Sequence, residues 1–461
     1  MPKELEKFEV IISSGKTLTI TILKDTKNNE IFSVRVERSD FSEIPVGSIL
    51  KGRIKRYHTS LDSYFVDVGF SREAFLQKKK GCENLKIGDT VIVQLQRKED
   101  CLKGAKLTCA ISLPGRFVVY LPHGSKVAVS SKIKEKKLVQ EMKEVLKGQL
   151  KEGEGVILRS ASLYAKTKEV LEELESLRNL WNSIKAKAKK VNVGVIFKEA
   201  PLFVRIVRDN WVNIKEIVVD SPKVWEVLID YFGSSISSKV KYVKDINKHL
   251  GDLSVNQIID KILSKYVWLK GGGFLVIEET EAMTVVDVNS GEGCGKNLEE
   301  SALKTNIEAI EELARQIRLK NLGGIIIVDL INLKEKENVE ELLKRAKEIL
   351  SEDNVKIYGL TKLGLLELTR KREGESNTKI LSEDCLTCGG KGLIKSKECV
   401  LFLIEKELEE YVSRYAKVEL EVHERLYEGA VKLIEEKNWK DWVSIKKVWK
   451  EDPNYYRLLS L

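Results

Sequence analysis

Two aspartates that stand in similar apolar runs constrain the fold of this chain more than any other feature. Asp287 lies in the run Met283-Thr-Val-Val-Asp-Val-Asn-Ser290, and Asp329 lies in the run Ile325-Ile-Ile-Val-Asp-Leu-Ile331. Each run is short, rich in β-branched residues and bounded by polar residues or glycine. These properties predict that each run is a buried strand.

The segment between the two runs completes a strand–helix–strand unit. Residues 298–320 predict one amphipathic helix, because apolar side chains recur at helical spacing: Leu303, Ile307, Ile310, Ala314 and Ile317. A helix that connects two strands usually makes them parallel neighbours. Both aspartates would then lie toward the carboxyl ends of adjacent strands, where open α/β sheets bind their ligands.

Two converging carboxylates favour a divalent cation such as magnesium, and therefore phosphate chemistry. A carboxylate rarely interrupts a buried strand without a partner. Asn289 lies two positions after Asp287, so the two side chains share one face of the strand. The alternative is that each aspartate caps a turn or pairs with a lysine. For one aspartate alone the alternative is preferred, and for Asp287 and Asp329 together we favour the metal site.

Composition and charge indicate a large globular protein with local basic surfaces. The 461 residues suffice for several domains, and 32% are charged while 43% are hydrophobic. The net charge of +9 is modest, but residues 51–80 carry eight basic and three acidic side chains, and residues 126–151 carry eight lysines and three glutamates. Such clusters suit a polyanionic partner, although most lysine runs are only solvated faces.

Nothing in the sequence predicts a membrane protein or a disulfide scaffold. No apolar stretch is long enough to span a bilayer, and the first residues lack the apolar core of a signal peptide. Seven cysteines, an odd number, are mostly scattered. We therefore expect a reduced, cytoplasmic protein.

Residues 45–114 predict a small OB-type barrel, because five short strands alternate with glycine-bearing turns. Barrels of this type bind single-stranded nucleic acid by stacking bases on aromatic rings and holding phosphates with basic residues. Phe65 and Phe75 lie among basic residues that include Lys51 and Arg53. The alternative is that both phenylalanines fill the core of the barrel.

A pair of cysteines near the end of the chain has the spacing of a zinc knuckle. Cys385-Leu-Thr-Cys388 is followed by Gly389-Gly-Lys-Gly392, whose glycines allow backbone amides to approach the thiolates. A structural zinc site needs four ligands and this segment offers two, with Cys399 and His423 the nearest later candidates. Two chains that each donate one pair would complete the site and form a homodimer. A redox pair is the alternative.

The order of these parts, and several long strings, resemble the ribonuclease E/G family of bacterial endoribonucleases, particularly its ribonuclease G type. The resemblance covers essentially the whole chain and is strongest in four strings: Thr280-Glu-Ala-Met-Thr-Val-Val-Asp-Val-Asn-Ser290, Thr305-Asn-Ile-Glu-Ala309, Ala314-Arg-Gln-Ile-Arg-Leu-Lys-Asn-Leu-Gly-Gly-Ile-Ile-Ile-Val-Asp329 and Leu363-Gly-Leu-Leu-Glu-Leu-Thr-Arg370.

The resemblance implies an α/β multidomain architecture. An RNase H-like domain would be split between residues 1–44 and 205–268, interrupted by an OB-fold RNA-binding domain at 45–114 and a 5′-phosphate sensor region at 115–204. A DNase I-like catalytic domain would follow at 269–382, then a zinc-link at 383–396 and a small C-terminal domain at 397–461.

The resemblance also assigns functional residues. Asp287 and Asp329 would hold catalytic magnesium with support from Asn289, and Arg159 with Ser160 would bind a 5′-monophosphate. Cys385 and Cys388 would hold zinc shared between chains, in a homodimer that could pair again as a dimer of dimers. RNA would contact the residues Phe65, Phe75, Lys51, Arg53, Arg370 and Arg372.

Family members cleave single-stranded, often A/U-rich RNA to 5′-phosphate and 3′-hydroxyl ends, in ribosomal RNA processing and messenger RNA decay. Three departures from the family pattern affect this expectation: Lys126-Val-Ala-Val-Ser130 replaces a glycine-bearing loop of the sensor, Leu386 replaces a proline of the cysteine motif, and Val68 replaces a barrel tyrosine. The alternatives are a non-cleaving RNA-binding or ribosome-assembly factor and a metal-dependent nuclease that acts on DNA.

Overall fold

The computed structural model describes residues 7–39, 44–79, 81–99, 104–130, 133, 136–291, 298–390 and 392–460, with the side chains of 136–138 and 352 excepted. The chain divides into two compact units, Met1–Leu381 and Ser382–Leu461. Both units mix helices and strands. Within the described part of the chain, no helix combines the length and the apolarity that crossing a membrane requires.

The first unit begins with three antiparallel strands, β1 (Phe8–Ser14), β2 (Leu18–Asp25) and β3 (Ile31–Arg38). Isoleucines and valines from these strands are fully buried, including Val10, Ile22 and Val34. β-Branched side chains of this kind pack well on a pleated surface, which is why these runs form strands. The end of the predicted first segment, residues 40–43, lies outside the described residues.

A closed five-stranded barrel follows, as the sequence predicted. Its strands are β4 (Ile49–His58), β5 (Ser63–Asp67), β6 (Ala74–Gln77), β7 (Thr90–Arg97) and β8 (Lys106–Thr108), in the order β4-β5-β6-β8-β7, and β4 also pairs with β7. Gly52 allows β4 to cross the core closely, since a Cβ atom there would lie 2.4 Å from Cγ1 of Val66.

A second small sheet and a long helix come next. The elements are β9 (Leu113–Pro114), β10 (Val118–Leu121), β11 (Val127–Val129), α1 (Lys136–Gln149), β12 (Gly155–Leu158), α2 (Thr167–Lys190) and β13 (Gly194–Phe197). The sheet has the order β11-β12-β10-β9, while β13 pairs with β4 of the barrel. The apolar face of α2 packs against the sheet through Val170, Leu174, Trp181 and Ile184.

The chain then returns to its first sheet. The elements are α3 (Leu202–Asp209), β14 (Ile214–Val219), α4 (Pro222–Phe232), α5 (Ser234–Ser237), β15 (Val240–Tyr242) and α6 (Val255–Leu263). β14 pairs in parallel with β1, which gives the order β15-β14-β1-β2-β3. Two segments that are distant in sequence therefore share one sheet. The RNase H-like class that the resemblance implies for this sheet stays a prediction.

The aspartate sheet, defined here as strands β16 to β21, carries Asp287 and Asp329. The elements are β16 (Tyr266–Trp268), β17 (Phe274–Glu279), β18 (Met283–Asn289), α7 (Leu298–Lys320), β19 (Gly324–Asp329), α8 (Lys336–Leu350), β20 (Val355–Leu360), β21 (Leu366–Arg370) and α9 (Asn377–Leu381). The strand order is β16-β17-β18-β19-β21-β20. β18 and β19 are parallel, so the predicted strand–helix–strand unit is confirmed.

The two strands are buried on one face only, so the prediction of buried strands is confirmed for that face alone. Val286, Val288, Ile326 and Val328 pack with α7 and α8 in one apolar core, on what we call the helix face of the sheet. The alternating residues lie on the opposite, open face, where Asp287 and Asp329 are exposed. Because strand side chains alternate between faces, an apolar run can hold carboxylates without burying them.

The second unit is a small α/β structure. Its elements are α10 (Lys397–Arg414), β22 (Val418–His423), α11 (Glu424–Glu436), β23 (Val443–Val448) and β24 (Tyr456–Ser460), and its sheet has the order β23-β22-β24. Both helices pack on one face of that sheet around Ile404, Leu420 and Leu426. Five short 3₁₀ segments complete the described structure at Thr59–Leu61, Ser160–Tyr164, Trp211–Asn213, Ile246–His249 and Ser351–Asp353.

Asn306 of α7 fixes the backbone that directly follows Asp329. Its side chain is fully buried, donates to the carbonyl oxygen of Ile331 at 2.8 Å and accepts from the N–H of the same residue at 2.9 Å. The amide group therefore pairs with Ile331 as a neighbouring strand would. Loss of this amide would leave the N–H and C=O groups of the partly buried Ile331 without this partner.

We expect Asn306→Ala to lower the free energy of unfolding of the first unit by about 2–4 kcal/mol, because an N–H and a C=O group both become unsatisfied. Urea denaturation followed by circular dichroism measures the change. Lys304→Ala, at an exposed position of the same helix, is the matched control and should change the midpoint little. Equal midpoints for the two variants would contradict the role assigned to Asn306.

Candidate active site

Asp287 and Asp329 are direct neighbours across β18 and β19. The parallel register pairs Met283 with Ile325 and continues in step until Asp287 pairs with Asp329. Neighbouring strands lie about 4.8 Å apart, and residues in register point to the same face. Both carboxylates are exposed on the open face. The pairing of two residues that are far apart in sequence thus arises from the register of one strand pair.

Asn289 joins the pair from the same strand. Its Nδ2 atom donates to Oδ2 of Asp287 at 2.9 Å. This bond occupies one oxygen of the Asp287 carboxylate and restricts its rotation, while no other described residue donates a hydrogen bond to Oδ1. The sequence predicted that Asn289 would share a strand face with Asp287, and the structure confirms the shared face.

The donor atoms on this face fit a hard cation. Magnesium prefers oxygen ligands, and it is commonly held by one or two carboxylates while water and substrate phosphates complete its shell. Asp287 and Asp329 supply two carboxylates in register on a face open to a large substrate.

A separate group of three potential metal ligands, Glu9, Glu216 and His249, lies in the first sheet. Lys24 and Lys241 pair with its two carboxylates. The negative charge available to a cation is therefore already offset there, whereas no basic side chain among the described residues pairs with Asp287 or Asp329.

Glu367 of β21 adds a third carboxylate to the open face and was missed by the sequence reasoning. It pairs in register with Ile327, two residues before Asp329 on the same strand. Side chains in such diagonal positions are about 7–8 Å apart. The signal was present in the alternating pattern Leu366-Glu-Leu-Thr-Arg370, which places Glu367 opposite to the buried leucines.

The structure does not bring Arg370 or Arg372 to the aspartates, so their predicted contact with the scissile phosphate is not supported. Arg370 pairs with Gly324, at the far end of β19 and about 16 Å from Asp329. It points to the helix face, is only 8% exposed and donates to the carbonyl oxygens of Asp353 and Leu322 at 3.2 and 2.7 Å. The side chain of Arg372 lies over Gly324 at the same end.

Phe65 and Phe75 lie outside the barrel core, so the alternative that they fill it is wrong. They are register partners on β5 and β6, half-buried, with ring centroids 6.1 Å apart in an edge-to-face arrangement. The core is formed instead by residues such as Tyr64, Val66 and Leu76. The guanidinium group of Arg56 stacks 4.0 Å from the centre of the Phe65 ring.

Lys51 and Arg53 share the outer face of the barrel, but both already have protein partners. The Nζ atom of Lys51 donates to the carbonyl oxygens of Ala188 and Val191 at 2.9 Å, at the end of α2. Arg53 donates to Oδ1 of Asn192 at 2.9 Å. Lys51 therefore joins the barrel to α2, and Arg56 is the basic residue that accompanies the aromatic pair.

Arg159 follows β12 and is held by two acceptors. Its Nη1 donates to the carbonyl oxygen of Gly115 at 2.8 Å, and its Nη2 contacts Oδ1 of Asp209 at 2.9 Å. Ser160 begins the adjacent 3₁₀ segment and is half-buried. The segment 126–130 contains strand β11, which pairs with β12. The N–H of Ser130 donates to the carbonyl oxygen of Leu158, the residue before Arg159.

A lysine-lined cavity of about 570 Å³ lies at the opposite end of β11 and β12. It is lined by four lysines of the basic segment predicted from sequence: Lys126, Lys143, Lys147 and Lys151. Glu154 also lines it, but hydrogen bonds from Arg178 hold this carboxylate and lower its pKa to about 2. The structure does not describe the side chains of the other four lysines of that segment, which are Lys132, Lys134, Lys136 and Lys137.

Cys385 and Cys388 are free thiols in a tight turn of the second unit. The N–H of Gly392 donates to Sγ of Cys388 at 3.2 Å, as expected for a glycine-bearing knuckle. The backbone N–H groups of Cys388 and Thr387 lower the pKa of the Cys385 thiol, which favours the thiolate that binds metal. Cys399 and His423 instead form the starts of α10 and α11, where Nδ1 of His423 accepts from the N–H of Arg425.

The chain is similar in sequence to a family model and to several known proteins. The model of the family described as "Ribonuclease E/G family" matches residues 112–373. "Ribonuclease G" of Haemophilus influenzae is 35% identical over 403 residues, which cover 81% of this chain and 82% of that protein. "Ribonuclease G" of Escherichia coli K12 is 33% identical, covering 79% and 80%. "Ribonuclease E" of the same strain is 33% identical, covering 78% of this chain and 37% of that protein.

Proposed function

The chain belongs to the ribonuclease E/G family, and we propose that it is a magnesium-dependent endoribonuclease that cleaves single-stranded RNA. The observation that carries the proposal is the register of β18 and β19, which aligns Asp287 and Asp329 on an exposed sheet face. A face of this kind admits a long polymer, whereas an enclosed pocket would admit only its end. The products are an RNA with a 3′-hydroxyl and an RNA with a 5′-phosphate.

Asp287 and Asp329 hold the magnesium ion in this proposal, and Asn289 keeps the Asp287 carboxylate in the orientation that presents Oδ1. When bound, the ion polarises the scissile phosphate and lowers the pKa of a coordinated water. Glu367 adds negative charge to the same face, which strengthens the preference for a cation. The apolar side chains on the helix face hold both strands rigid beneath the carboxylates.

The barrel guides the RNA strand to this face. Phe65 and Phe75 present ring surface outside the core, and a base stacked on an aromatic ring contributes about 1–3 kcal/mol without regard to its identity. Arg56, which stacks on Phe65 and pairs with Glu73 at 2.8 Å, supplies a cation for the phosphate backbone. Lys51 and Arg53 support this surface through their contacts with the end of α2 and Asn192.

Arg159 and Ser160 bind the 5′-monophosphate of the substrate in this proposal. A guanidinium group binds phosphate through two parallel hydrogen bonds, and the serine hydroxyl adds a third. The terminal phosphate takes the place of Asp209, which is partly exposed and pairs with Arg159 in the structure. Substrates with a 5′-monophosphate are therefore cleaved faster than those with a 5′-hydroxyl.

The proposed setting is the cytoplasm, where the enzyme would act in ribosomal RNA processing and messenger RNA decay. The zinc ion is proposed to be shared by the Cys385–Cys388 pairs of two chains, which makes a homodimer and permits a dimer of dimers. The lowered pKa of Cys385 and the amide contact at Cys388 support thiolate ligation.

A non-cleaving RNA-binding or ribosome-assembly factor is the alternative function, and a DNA nuclease is a second. Two aligned carboxylates would repel the phosphates of RNA, so they would weaken a protein that only binds RNA. The aspartates therefore favour cleavage with a bound cation. Matched RNA and DNA oligomers, incubated with magnesium or with EDTA, distinguish these functions. Cleavage of RNA alone, and only with magnesium, is the expected result.

We expect Asp329→Asn to lower the rate of RNA cleavage by about a thousandfold or more, because a metal ligand loses its charge. A labelled 5′-monophosphorylated oligomer reports cleavage, and anisotropy in EDTA reports binding, which should change little. Asp260→Asn, at an exposed position of α6, is the control and should cleave normally. Cleavage by Asp329→Asn at the unchanged rate would refute the metal assignment.

We expect Arg159→Ala to reduce the ratio of cleavage rates for 5′-monophosphorylated and 5′-hydroxylated oligomers to about one, because the phosphate loses its charged hydrogen bonds. The ratio is insensitive to a general loss of active protein. Arg345→Ala, which removes an exposed arginine paired with Glu348 in α8, should preserve the ratio. An unchanged ratio in Arg159→Ala would place end sensing elsewhere.

We expect the double variant Cys385→Ser, Cys388→Ser to lose bound zinc and to halve its mass in light scattering, because the shared ligands are gone. Elemental analysis measures the zinc content. Cys399→Ser, which changes another exposed cysteine of the same unit, should retain both zinc and mass. A mass that persists after complete zinc removal would exclude the shared site.

A further inference from the structure

Three aromatic side chains lie on the open face of the aspartate sheet, beside the carboxylates. The register pairs Trp268 of β16 with Phe274 of β17, and Phe274 with Asn289 of β18. One step along, Tyr266 pairs with Val276, which pairs with Asp287. Directly paired residues share a face, so Trp268, Phe274 and Tyr266 share the face of Asn289 and Asp287.

These rings form one exposed cluster. The centroid of Phe274 lies 5.3 Å from that of Trp268 and 6.1 Å from that of Tyr266. Trp268 is 72% exposed and Tyr266 is 59% exposed, while Phe274 is half-buried beneath them. A contiguous exposed aromatic surface marks an interaction site more often than isolated apolar residues do.

The hairpin that carries the rings is fixed at both ends. Before β16, Nζ of Lys320 donates to the carbonyl oxygen of Ser264 at 2.7 Å. At the turn, the N–H of Gly271 donates to Oε1 of Glu308 at 2.9 Å. Gly273 packs so closely that a Cβ atom there would lie 2.5 Å from the carbonyl oxygen of Asn289. The rings therefore keep a defined position relative to Asn289.

We propose that Tyr266, Trp268 and Phe274 form a stacking platform for RNA bases that flank the scissile phosphate. The proposal rests on the function proposed above and adds a substrate-binding surface to the same site. Trp268 lies two strand spacings, roughly 10 Å, from the strand that carries Asp287. A strand of RNA whose phosphate lies at the aspartates thus places neighbouring bases over the rings.

A nucleobase fits this surface better than a second protein chain does. A base stacks through its face and leaves its sugar and phosphate in solvent, so the carboxylates beside the platform remain hydrated. A protein that covered the rings from the same side would bring its own surface over Asp287 and its neighbour Asp329. Burial of those charges without partners would cost more than three rings contribute.

The test measures the coupling between Trp268 and single bases in magnesium-free buffer. A set of oligomers, each with one abasic site near the cleavage position, is titrated with the unmodified chain and with Trp268→Ala. We expect Trp268→Ala to bind the intact oligomer about tenfold more weakly, as when one base loses its stacking partner. One abasic oligomer should bind the unmodified chain about as weakly as the intact oligomer binds Trp268→Ala. The Trp268→Ala substitution should not weaken the binding of that abasic oligomer further.

The controls separate stacking from changes in folding or assembly. Trp449→Ala removes another exposed tryptophan, 75% accessible and in the second unit, and should bind every oligomer normally. Trp268→Phe keeps a ring and should restore most of the affinity. Light scattering should show the same mass for Trp268→Ala as for the unmodified chain.

The outcomes distinguish the platform from the catalytic proposal. The platform is refuted if Trp268→Ala weakens the binding of every abasic oligomer as much as that of the intact oligomer, or if Trp268→Ala changes the mass of the protein. This holds even where magnesium-dependent cleavage is intact. If coupling appears but the unmodified chain does not cleave RNA with magnesium, the platform stands as an RNA-binding surface and the catalytic proposal fails.

Discussion

The parallel pairing of β18 with β19 is the constraint on which the candidate site depends. Strand side chains alternate with a period of two, so a slip of one residue in either strand would turn one aspartate to the helix face. Apolar residues on that face, Val286 and Val328 among them, oppose such a slip because they would be exposed by it. Asn306 adds a second restraint by pairing with Ile331 just after β19. The core thus determines where the carboxylates meet.

A sheet with one covered and one open face reconciles stability with the proposed chemistry. The helix face supplies apolar burial, so the open face can carry carboxylates and exposed rings at little expense to folding. Two carboxylates at neighbouring register positions repel each other, and a bound cation would relieve that repulsion. The open face also suits a polymer that must pass through the site rather than end in it.

Local patterns predicted the two strands, the helix between them and their parallel pairing, but not the partners of charged residues. The strand–helix–strand unit follows from the pattern of residues 283–331, where two β-branched runs flank a segment with apolar residues at helical spacing. The carbonyl partners of Arg370 and Lys51 could not be predicted, because a basic side chain looks the same in sequence whether it binds a carbonyl group or a phosphate. Trp268 was missed because β16 has three residues, too few for a pattern, and its place beside Asn289 arises only through pairing across β17.

The distribution of charge explains why ring stacking matters for a chain of this composition. Several basic groups at the candidate surfaces are already paired, as Arg56 is with Glu73 and Arg159 is with Asp209. If RNA binds such groups, a phosphate replaces a carboxylate. The net gain in binding free energy is then smaller than for a cation without a partner. Aromatic rings that lie in solvent have no such partner to exchange. In the proposed complex, base stacking at the barrel and the aspartate sheet would therefore add to RNA affinity in a way that a net charge of +9 does not reveal.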